Sequence, residues 1–239
     1  MARICIVIPT YNERGNLEPL MKRVFSLKIP DLEVMIVDDN SPDGTGELAE
    51  NLARRYPIVV LHREKKLGLG TAYVYAFTTL LVSKKEVQDR PEYIIQMDAD
   101  LSHDPGDIFQ LLEKAKEYDV VLGSRYVPGG AIHNWNWFRK LISRLGNVYA
   151  RAVLGVPFHD LTSGFKCYRR VVLEGLDLES LSSVGYNFQI ETTYKAYRKG
   201  WTVTEVPISF TERNTGSSKM NLGIILESFF KVLLLRLGR

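Results

Sequence analysis

Residues 4–13 read Ile-Cys-Ile-Val-Ile-Pro-Thr-Tyr-Asn-Glu, a run of apolar residues that ends at a proline and continues into polar side chains. A continuous apolar run of this kind predicts a strand that is buried on both faces of a parallel sheet. Similar runs recur at 34–37, 58–61, 93–97 and 120–122. The strand at 4–8 is therefore predicted to be one of several in a central sheet.

Stretches with helical periodicity separate these runs, near residues 16–27, 45–55, 70–83 and 106–117. The last has a readable start, because Asp104 can cap the helix and Pro105 suits its first position. Strands that alternate with helices predict an α/β fold, here a mostly parallel, doubly wound sheet with helices on both faces. In such a fold the ligands collect at the carboxyl ends of the strands.

The second half of the sequence is less regular. An aromatic and basic stretch occupies 135–144, and a strand pair is predicted near 165–169 and 203–210. Residues 222–237 are mostly apolar but are interrupted by charged and polar side chains. We predict one domain over residues 1–220 and an amphipathic helix over 221–239, which lies at a membrane interface, contacts a partner or packs on the core.

Composition excludes several classes of protein. The formal net charge is +3, from 31 basic and 28 acidic residues, so no overall field favours a nucleic acid partner. Cys5 and Cys167 lie in apolar surroundings and are predicted to be reduced core residues. No apolar run reaches the ~18 residues of a bilayer span, and polar residues soon after Ile8 disfavour a signal peptide. A cytosol-facing compartment is expected.

The triplet Asp98-Ala99-Asp100 directly follows the predicted strand at 93–97. Residues two apart in an extended segment project to the same side, so both carboxylates can converge on one hard cation such as Mg²⁺ or Mn²⁺. Such an ion would neutralise the charge that builds on a departing nucleoside diphosphate. The alternative is a pair of surface acids in a loop, and the position after a buried strand favours the metal site.

Other polar groups follow the second and third strands. Asp38 and Asp39 can accept hydrogen bonds from a ribose or a base edge, although turn formation is the alternative for this segment. Gly68-Leu69-Gly70 does not predict a dinucleotide site, because Tyr73 stands where the fingerprint has its third glycine.

Four basic residues form a set that suits phosphate-bearing ligands. Guanidinium groups bind phosphates with two hydrogen bonds, and two phosphate-bearing substrates need several cations. The set comprises Arg125, Arg139, Arg213 and Lys219. Each of them alone is more often a solvated surface charge.

Six motifs in order along the chain resemble those of family 2 glycosyltransferases, and among these the dolichyl-phosphate or polyprenyl-phosphate mannose synthases. The motifs are Pro-Thr-Tyr-Asn-Glu at 9–13, Val-Asp-Asp at 37–39, Asp-Ala-Asp at 98–100, Gly-Ser-Arg-Tyr at 123–126, Asp-Leu-Thr-Ser-Gly-Phe at 160–165 and Glu-Val-Pro-Ile-Ser-Phe-Thr-Glu-Arg at 205–213. The resemblance implies the GT-A fold for residues 1–220 as a catalytic domain, and it fits the short form without transmembrane helices.

The resemblance also implies residue roles. The nucleoside would be held by Pro9, Tyr11, Glu13, Val37 and Asp39. The donor diphosphate would be held by Asp98, Ala99 and Asp100 through the metal, with Asp98 and Asp100 as its ligands, and by Arg125, Arg213 and Lys219. The acceptor phosphate would be held by Arg125, Arg139 and Ser143. The central residues of catalysis would be Asp100, Arg125 and Arg213. Some relatives have Gln as a further metal ligand where this chain has Ser102, so the third ligand is left open.

The implied reaction transfers mannose from GDP-mannose to a dolichyl or polyprenyl monophosphate with inversion, giving a β-linked product. A phosphate monoester is already anionic at neutral pH, so no general base is required, and His103 is kept only as a minor alternative. The other functions considered are a UDP-glucose-dependent glucosyltransferase on the same lipid and a non-catalytic regulatory subunit of the same fold.

The resemblance further implies a peripheral protein on the cytoplasmic side of a membrane, the endoplasmic reticulum in a eukaryote or the cell membrane in a prokaryote. A small membrane-anchoring subunit is a further expected partner. Trp135, Trp137 and Phe138 beside Arg139 and Lys140 predict a contact with lipid headgroups, with burial or stacking on the sugar as alternatives.

Overall fold

A computed structural model describes residues 3–82, 90–181, 185–212 and 222–237 of the 239-residue chain. The strands are β1 (Ile4–Thr10), β2 (Leu32–Asp38), β3 (Ile58–His62), β4 (Tyr93–Gln96), β5 (Val120–Ser124), β6 (Ala131–His133), β7 (Lys166–Arg169), β8 (Val203–Pro207) and β9 (Ser209–Thr211). The helices are α1 (Arg14–Ser26), α2 (Thr45–Ala53), α3 (Leu69–Val82), α4 (Ile108–Ala115), α5 (Trp137–Leu154), α6 (Arg170–Gly175), α7 (Tyr186–Arg198) and α8 (Leu222–Arg236).

The central sheet has seven strands in the order β3-β2-β1-β4-β7-β5-β8. Its strands are parallel except β7, which is antiparallel to both of its neighbours. Two further strands, β6 and β9, form a small parallel sheet. The predicted α/β fold with a mostly parallel sheet is confirmed, and each strand predicted before residue 125 lies within about two residues of its predicted bounds.

Apolar side chains alternate between the two faces of the sheet and form two cores. Cys5, Val7 and Met35 pack with α3, α5, α6, α7 and α8 on one face. Ile6, Ile8 and Ile36 pack with α1, α2 and α4 on the other face. Helices therefore cover both faces, as the uninterrupted apolar runs predict. Both cysteines are buried and reduced, Cys5 in the first core and Cys167 in the second.

The strand pair predicted for 165–169 and 203–210 is wrong in two respects. Both segments contain strands, but β5 lies between β7 and β8, so the two do not pair. The second segment is also divided, because β8 belongs to the central sheet and β9 pairs with β6. Pairing partners depend on the three-dimensional arrangement, and the apolar pattern of a single segment does not specify them.

The start of the fourth predicted helix has the expected cap. The Asp104 carboxylate accepts a hydrogen bond from the Gly106 amide at 2.9 Å, and Pro105 begins a short 3₁₀ turn over 105–107 that leads into α4. This cap fixes the end of the loop that carries Asp98 and Asp100.

Helix α8 packs against α5 and α7 on one face of the sheet. Val232 is buried in the core, whereas Phe230, Leu233 and Leu234 are exposed. The Tyr149 hydroxyl of α5 donates to the Phe229 carbonyl at 3.0 Å, and the two rings are 4.1 Å apart. No helix in the described ranges combines the length and the apolar character that crossing a bilayer requires. The boundary at residue 220 between the two predicted units stays a prediction.

Candidate active site

A cavity of about 440 Å³ lies at the edge of the sheet where β1, β2, β4 and β5 end. Because β7 is antiparallel, it begins at this same edge, and so the loop over 160–165 reaches the cavity. Nine of the residues predicted for the site line it, and seven of these are Pro9, Tyr11, Glu13, Asp39, Ala99, Arg125 and Arg139. The other two are Asp98 and Asp100. The topology therefore brings the two carboxylates and two of the predicted arginines into one cleft.

The Asp98 carboxylate occupies space that a glycine leaves open. A Cβ atom on Gly164 would lie 3.2 Å from Asp98 Oδ2, which is closer than ordinary van der Waals contact. The Asp98 amide donates to Nδ1 of His103 at 3.3 Å, which ties the triplet to the loop that follows it. The motif at 160–165 thus contributes the residue that accommodates Asp98.

Asp100 is positioned by the backbone of the next two residues. Leu101 adopts a φ of 63°, in the left-handed region that residues with side chains seldom occupy. The Ser102 amide donates to Asp100 Oδ1 at 3.1 Å. A residue held in such a conformation is typical of a functional loop, and here it turns the chain so that Ser102 also lines the cleft.

The oxygen atoms around this loop suit a hard divalent cation. Carboxylate and hydroxyl oxygens are the ligands that Mg²⁺ and Mn²⁺ prefer. The Ser102 hydroxyl is buried and has no hydrogen-bond partner among the described residues, whereas most buried hydroxyls have one. The described ranges contain no group of three or more His, Cys, Asp and Glu side chains that could hold a metal. Asp98 and Asp100, with Ser102 nearby, therefore fit an ion whose remaining ligands are water or phosphate.

His103 is a buried, neutral side chain. Its ring stacks on Phe165 with centroids 4.9 Å apart and meets the edge of Phe210 at 5.4 Å. Burial is the main cause that lowers the pKa of His103 from 6.5 to about 4. Because Nδ1 accepts a hydrogen bond from the Asp98 amide, the ring supports the loop and is a weak proton acceptor at neutral pH.

The residues expected to hold the nucleoside lie at the β1 and β2 end of the cleft. Lys66 Nζ lies 3.6 Å from the centre of the Tyr11 ring, which places a cation over an aromatic face. Asp39 forms a buried ion pair with Arg63 and also accepts from the Leu67 amide at 3.3 Å. Val37 differs from the others, because it is buried in the core and is not among the residues that line the cleft.

Arg125 follows β5 and is fixed by a carboxylate. Its Nε and Nη2 atoms each donate to Asp160 at 2.7 Å, and Nη2 also donates to the Thr162 hydroxyl at 2.8 Å. Asp160 is itself fixed, because its amide donates to Glu205 Oε1 on β8 at 2.9 Å. This arrangement holds one guanidinium in a single orientation at the wall of the cleft.

Arg139 lies in the first turn of α5 and has a more exposed partner. Its Nη1 donates to Glu212 at 2.5 Å, and its guanidinium carbon lies 4.1 Å from the centre of the Trp135 ring. The Arg139 Nε and Trp135 Nε1 atoms are buried and have no partner within the described part of the chain. A guanidinium N–H and an indole N–H that both lack a partner in the described ranges are suited to an anion.

Besides Val37, three predicted site residues are not seen in the cleft. The Ser143 hydroxyl accepts a hydrogen bond from the Tyr126 hydroxyl at 2.7 Å, and Ser143 is not one of the lining residues. Arg213 and Lys219 lie outside the described residues. Their roles stay predictions.

Several residues of the site were not predicted from the sequence. Asp160 and Gly164 belong to a motif that was recognised, but no role was assigned to either residue. The motif itself, which precedes the strand predicted at 165–169, indicated that the segment belongs to the site. The contacts of Asp160 and Gly164 depend on the direction of that strand, which the sequence pattern does not specify. Lys66 and Asn187 also line the cleft. Trp135 lines it too, although a contact with lipid headgroups was predicted for it and stacking on the sugar was only an alternative.

Comparisons with known proteins agree with this geometry. The family model described as Glycosyl transferase family 2 matches residues 5–176, which is most of the chain. Polyprenol monophosphomannose synthase of Mycolicibacterium smegmatis is 46% identical over 233 residues, which cover 96% of this chain and 85% of that protein. Undecaprenyl-phosphate mannosyltransferase of Micrococcus luteus is 42% identical over 231 residues, which cover 96% of this chain and 92% of that protein.

Solved structures of glucosyl-3-phosphoglycerate synthase from Mycobacterium tuberculosis share the fold. One complex, with Mn²⁺, UDP-glucose and phosphoglyceric acid, gives a TM-score of 0.71 at 18% identity and covers 99% of this chain and 80% of that chain. Another complex, with Mn²⁺, UDP and glucosyl-3-phosphoglycerate, gives a TM-score of 0.70 at 19% identity and has the same coverage of both chains. At this level of identity the likeness concerns the fold alone, and it confirms the GT-A-like architecture. From the family match and the two relatives it follows that the chain belongs to glycosyl transferase family 2.

Proposed function

We propose that this protein transfers mannose from GDP-mannose to a polyprenyl monophosphate, dolichyl phosphate included, with inversion at the anomeric carbon. The observation that carries the proposal is that the carboxylates of Asp98 and Asp100 and the guanidinium groups of Arg125 and Arg139 line one cleft. The names of the two relatives support mannose as the sugar and a polyprenyl phosphate as the acceptor.

The diphosphate of the donor is the leaving group of the reaction, and we place it beside Asp98. A Mg²⁺ or Mn²⁺ ion held by Asp98 and Asp100 would supply positive charge to the departing diphosphate. Ser102, Arg213 and Lys219 are proposed to complete the contacts to the ion or the phosphates. Tyr11, Lys66 and Asp39 contact the nucleoside, with Pro9, Glu13 and Val37 shaping its site. The solved neighbours that contain Mn²⁺ support a divalent ion in this fold.

The acceptor phosphate needs no general base. Its second pKa is about 6, so one oxygen is already anionic at neutral pH. That oxygen forms the new bond to the anomeric carbon while the bond from this carbon to the diphosphate oxygen breaks, and GDP leaves with the electron pair. Attack from the opposite side converts an α-linked donor into a β-linked product. The buried, neutral His103 is consistent with this base-free displacement.

Arg125 and Arg139 are proposed to hold the acceptor phosphate. Arg125 is fixed by Asp160, which aligns it without need of the ligand. Arg139 Nε and Trp135 Nε1 are two buried donors that the described residues leave unpaired, and phosphate oxygens would pair with both. Ser143 is proposed to approach the phosphate after its hydroxyl separates from that of Tyr126.

A second feature supports a lipid acceptor, namely an exposed apolar stripe on α5 that begins beside Arg139. The stripe follows helical spacing and consists of Trp137, Phe138, Leu141, Leu145 and Val148. Lys140 and Arg144 flank it and are also exposed. Exposed apolar side chains with adjacent cations suit the headgroup region of a bilayer. We propose that this stripe and the exposed face of α8 rest on the cytoplasmic side of the membrane.

The main test uses purified protein with a panel of nucleotide sugars and a polyprenyl phosphate, with Mn²⁺, with Mg²⁺ or with EDTA. We expect transfer from GDP-mannose, loss of transfer in EDTA, and a β-linked product by NMR. Transfer from UDP-glucose in preference to GDP-mannose would favour the glucosyltransferase. An α-linked product would exclude the single displacement.

The membrane contact is tested by replacing both exposed aromatic residues at the start of α5, Trp137→Ala with Phe138→Ala. We expect weaker co-sedimentation with anionic liposomes and slower transfer to long-chain acceptors, with little change on a short, water-soluble acceptor. Phe109→Ala is the control, because Phe109 is also exposed but lies on α4, on the opposite face of the sheet. Unchanged co-sedimentation of the double variant would exclude the membrane role of this stripe, and a small membrane-anchoring subunit would then be sought as the partner.

A further inference from the structure

The beginning of α7 forms a part of the cleft to which no role has been assigned. Gly185 and Asn187 line the cavity together with Asp98 and Asp100. The first turn of α7 contains no acidic residue, and no side chain caps it among the described residues. The amide groups at the start of a helix are hydrogen-bond donors that require partners.

Asn187 is the second observation at this place. Its side chain is buried, with 6% of its surface exposed, and its Oδ1 atom has no hydrogen-bond partner in the described part of the molecule. Buried side-chain amides nearly always have partners, and an exception in a cleft indicates a ligand that supplies one. The amide is uncharged and offers both donors and an acceptor.

The helix that carries Asn187 is held firmly. The buried Lys166 Nζ donates to the Gln189 carbonyl at 2.6 Å and to the Thr193 hydroxyl at 2.9 Å. The Phe188 ring stacks on Tyr73 of α3, with centroids 5.7 Å apart and ring planes 4° from parallel. Asn187 is therefore presented to the cleft from a rigid element, which is what a specific polar contact requires.

We infer that Asn187 binds a hydroxyl group of the donor hexose and contributes to the choice of sugar. This inference rests on the proposed function and extends it. Phosphates are matched by the cations of the cleft, and the nucleoside by Tyr11, Lys66 and Asp39 at the other end. The remaining polar groups of the nucleotide sugar are the hydroxyls of the hexose. A hydroxyl is uncharged and both donates and accepts hydrogen bonds, so it matches an uncharged amide.

The test compares the binding of GDP and of GDP-mannose by calorimetry in the presence of Mn²⁺. Asn187→Ala is expected to leave the Kd for GDP within about twofold of the native value and to weaken GDP-mannose about 3- to 10-fold, the range for one uncharged hydrogen bond. The same comparison is made with GDP-mannose analogues that each lack one hydroxyl. The analogue without the hydroxyl that Asn187 binds should bind the native protein more weakly than GDP-mannose does. The Asn187→Ala variant should bind that analogue and GDP-mannose equally well.

Gln189→Leu is the matched control. Gln189 lies on the same helix, is buried, and also has an amide without partners among the described residues, but it does not line the cleft. We expect both ligands to bind Gln189→Leu as they bind the native protein. If Asn187→Ala melts at a much lower temperature, Asn187→Ser serves for the same comparison.

Equal weakening of GDP and GDP-mannose, or unchanged discrimination among the analogues, would overturn the inference. Assays of the native protein distinguish a failure of this inference from a failure of the proposed function. If the native protein transfers mannose and only the analogue pattern is absent, the role of Asn187 alone is wrong. If the native protein binds and transfers no nucleotide sugar, the proposed function fails and the inference fails with it.

Discussion

Two parts of the cleft, the Asp100 end after β4 and the arginine end with Arg125 and Arg139, are balanced electrostatically in different ways. At the end that follows β4, Asp100 accepts a hydrogen bond from Ser102 and has no basic partner among the described residues. At the other end, Arg125 is paired with Asp160 and Arg139 with Glu212. We expect a bound ion to neutralise the negative charge of Asp100. At Arg125 and Arg139 an incoming anion must instead displace a carboxylate of the protein.

The two arginine pairs also differ from each other. The Arg125 and Asp160 side chains are 6% and 0% exposed, whereas those of Arg139 and Glu212 are 15% and 37% exposed. A buried pair with several hydrogen bonds is costly to break, and a partly exposed pair is weak. We therefore expect Asp160 to stay on Arg125 and Glu212 to be the carboxylate that a phosphate displaces.

The largest effect is expected at Asp100, which has no basic partner within the described ranges. Asp100→Asn should lower the rate of transfer at least about 10³-fold, because it removes one of the two charges proposed to hold the ion next to the leaving diphosphate. The transfer assay with Mn²⁺ measures this. The same result would exclude a non-catalytic subunit.

The control for this variant is Asp104→Asn, in the same loop. Asp104 caps the turn before α4 and does not line the cleft, and Asn also caps helices. Its rate should stay near the native value. If Asp100→Asn kept more than about a tenth of the activity, this end of the cleft would not depend on a bound ion.

The second effect concerns the buried pair. Asp160→Asn should lower the free energy of unfolding by about 3 kcal/mol, because Arg125 is left in the interior without a counter-charge. It should also lower the transfer rate about 10²-fold, since Arg125 loses its fixed orientation. Urea denaturation and the transfer assay measure the two changes.

An exposed pair provides the comparison for Asp160. Glu174→Gln removes the partner of Arg170 on α6, at the surface, and should change the free energy of unfolding by less than about 0.5 kcal/mol. If Asp160→Asn lowered the free energy of unfolding only as much as Glu174→Gln does, the pair of Arg125 and Asp160 would stabilise the fold no more than a surface pair does.

The third effect is smaller and has the opposite sign. Glu212→Gln should lower the KM for polyprenyl phosphate about 3- to 5-fold with little change in kcat, because the phosphate no longer competes with a carboxylate for Arg139. Glu117→Gln makes the same change in net charge far from the cleft and should leave KM unchanged. A higher KM for Glu212→Gln would instead mean that Glu212 orients Arg139 for the acceptor.

The smallest effect separates two neighbouring tryptophans. Trp135→Phe removes the buried Nε1 donor and should raise the KM for a short, water-soluble acceptor about 2- to 3-fold. Trp137→Phe, at an exposed position on the apolar stripe, should have no effect in the same assay. Equal effects of the two changes would show that the Trp135 N–H does not bind the acceptor.

The same contrast explains how much could be predicted from the sequence. Asp98, Asp100 and Asp39 lie within a few residues of apolar runs that are recognisable as strands, so a local pattern predicted both the strand and the residues at its end. The sheet of the first half follows from the same runs, and its predicted strands are confirmed.

The part of the cleft that carries Arg125 and Arg139 depends on contacts between distant parts of the sequence. Asp160 is 35 residues from Arg125, and Glu212 is 73 residues from Arg139. Asp160 meets Arg125 because β7 is inserted between β4 and β5 in the reverse direction, and Glu212 meets Arg139 because β9 pairs with β6. The apolar pattern of a segment specifies neither its direction nor its pairing partner. For the same reason Gly164 could not be predicted to lie against Asp98, and residues 203–210 could not be divided between two sheets.

The inserted strand β7 also limits how the specificity of this enzyme fold can be changed. Asp98 follows β4 and Arg125 follows β5, and with β7 between them the two strands are two interstrand spacings apart, about 10 Å. Backbone hydrogen bonds fix that spacing, so no substitution within the strands can widen it. Engineering this protein for a bulkier sugar or a different acceptor must therefore act on side-chain length and on the segments over 125–139 and 160–165 outside the central sheet. Libraries aimed at the strands of that sheet would mainly lose stability.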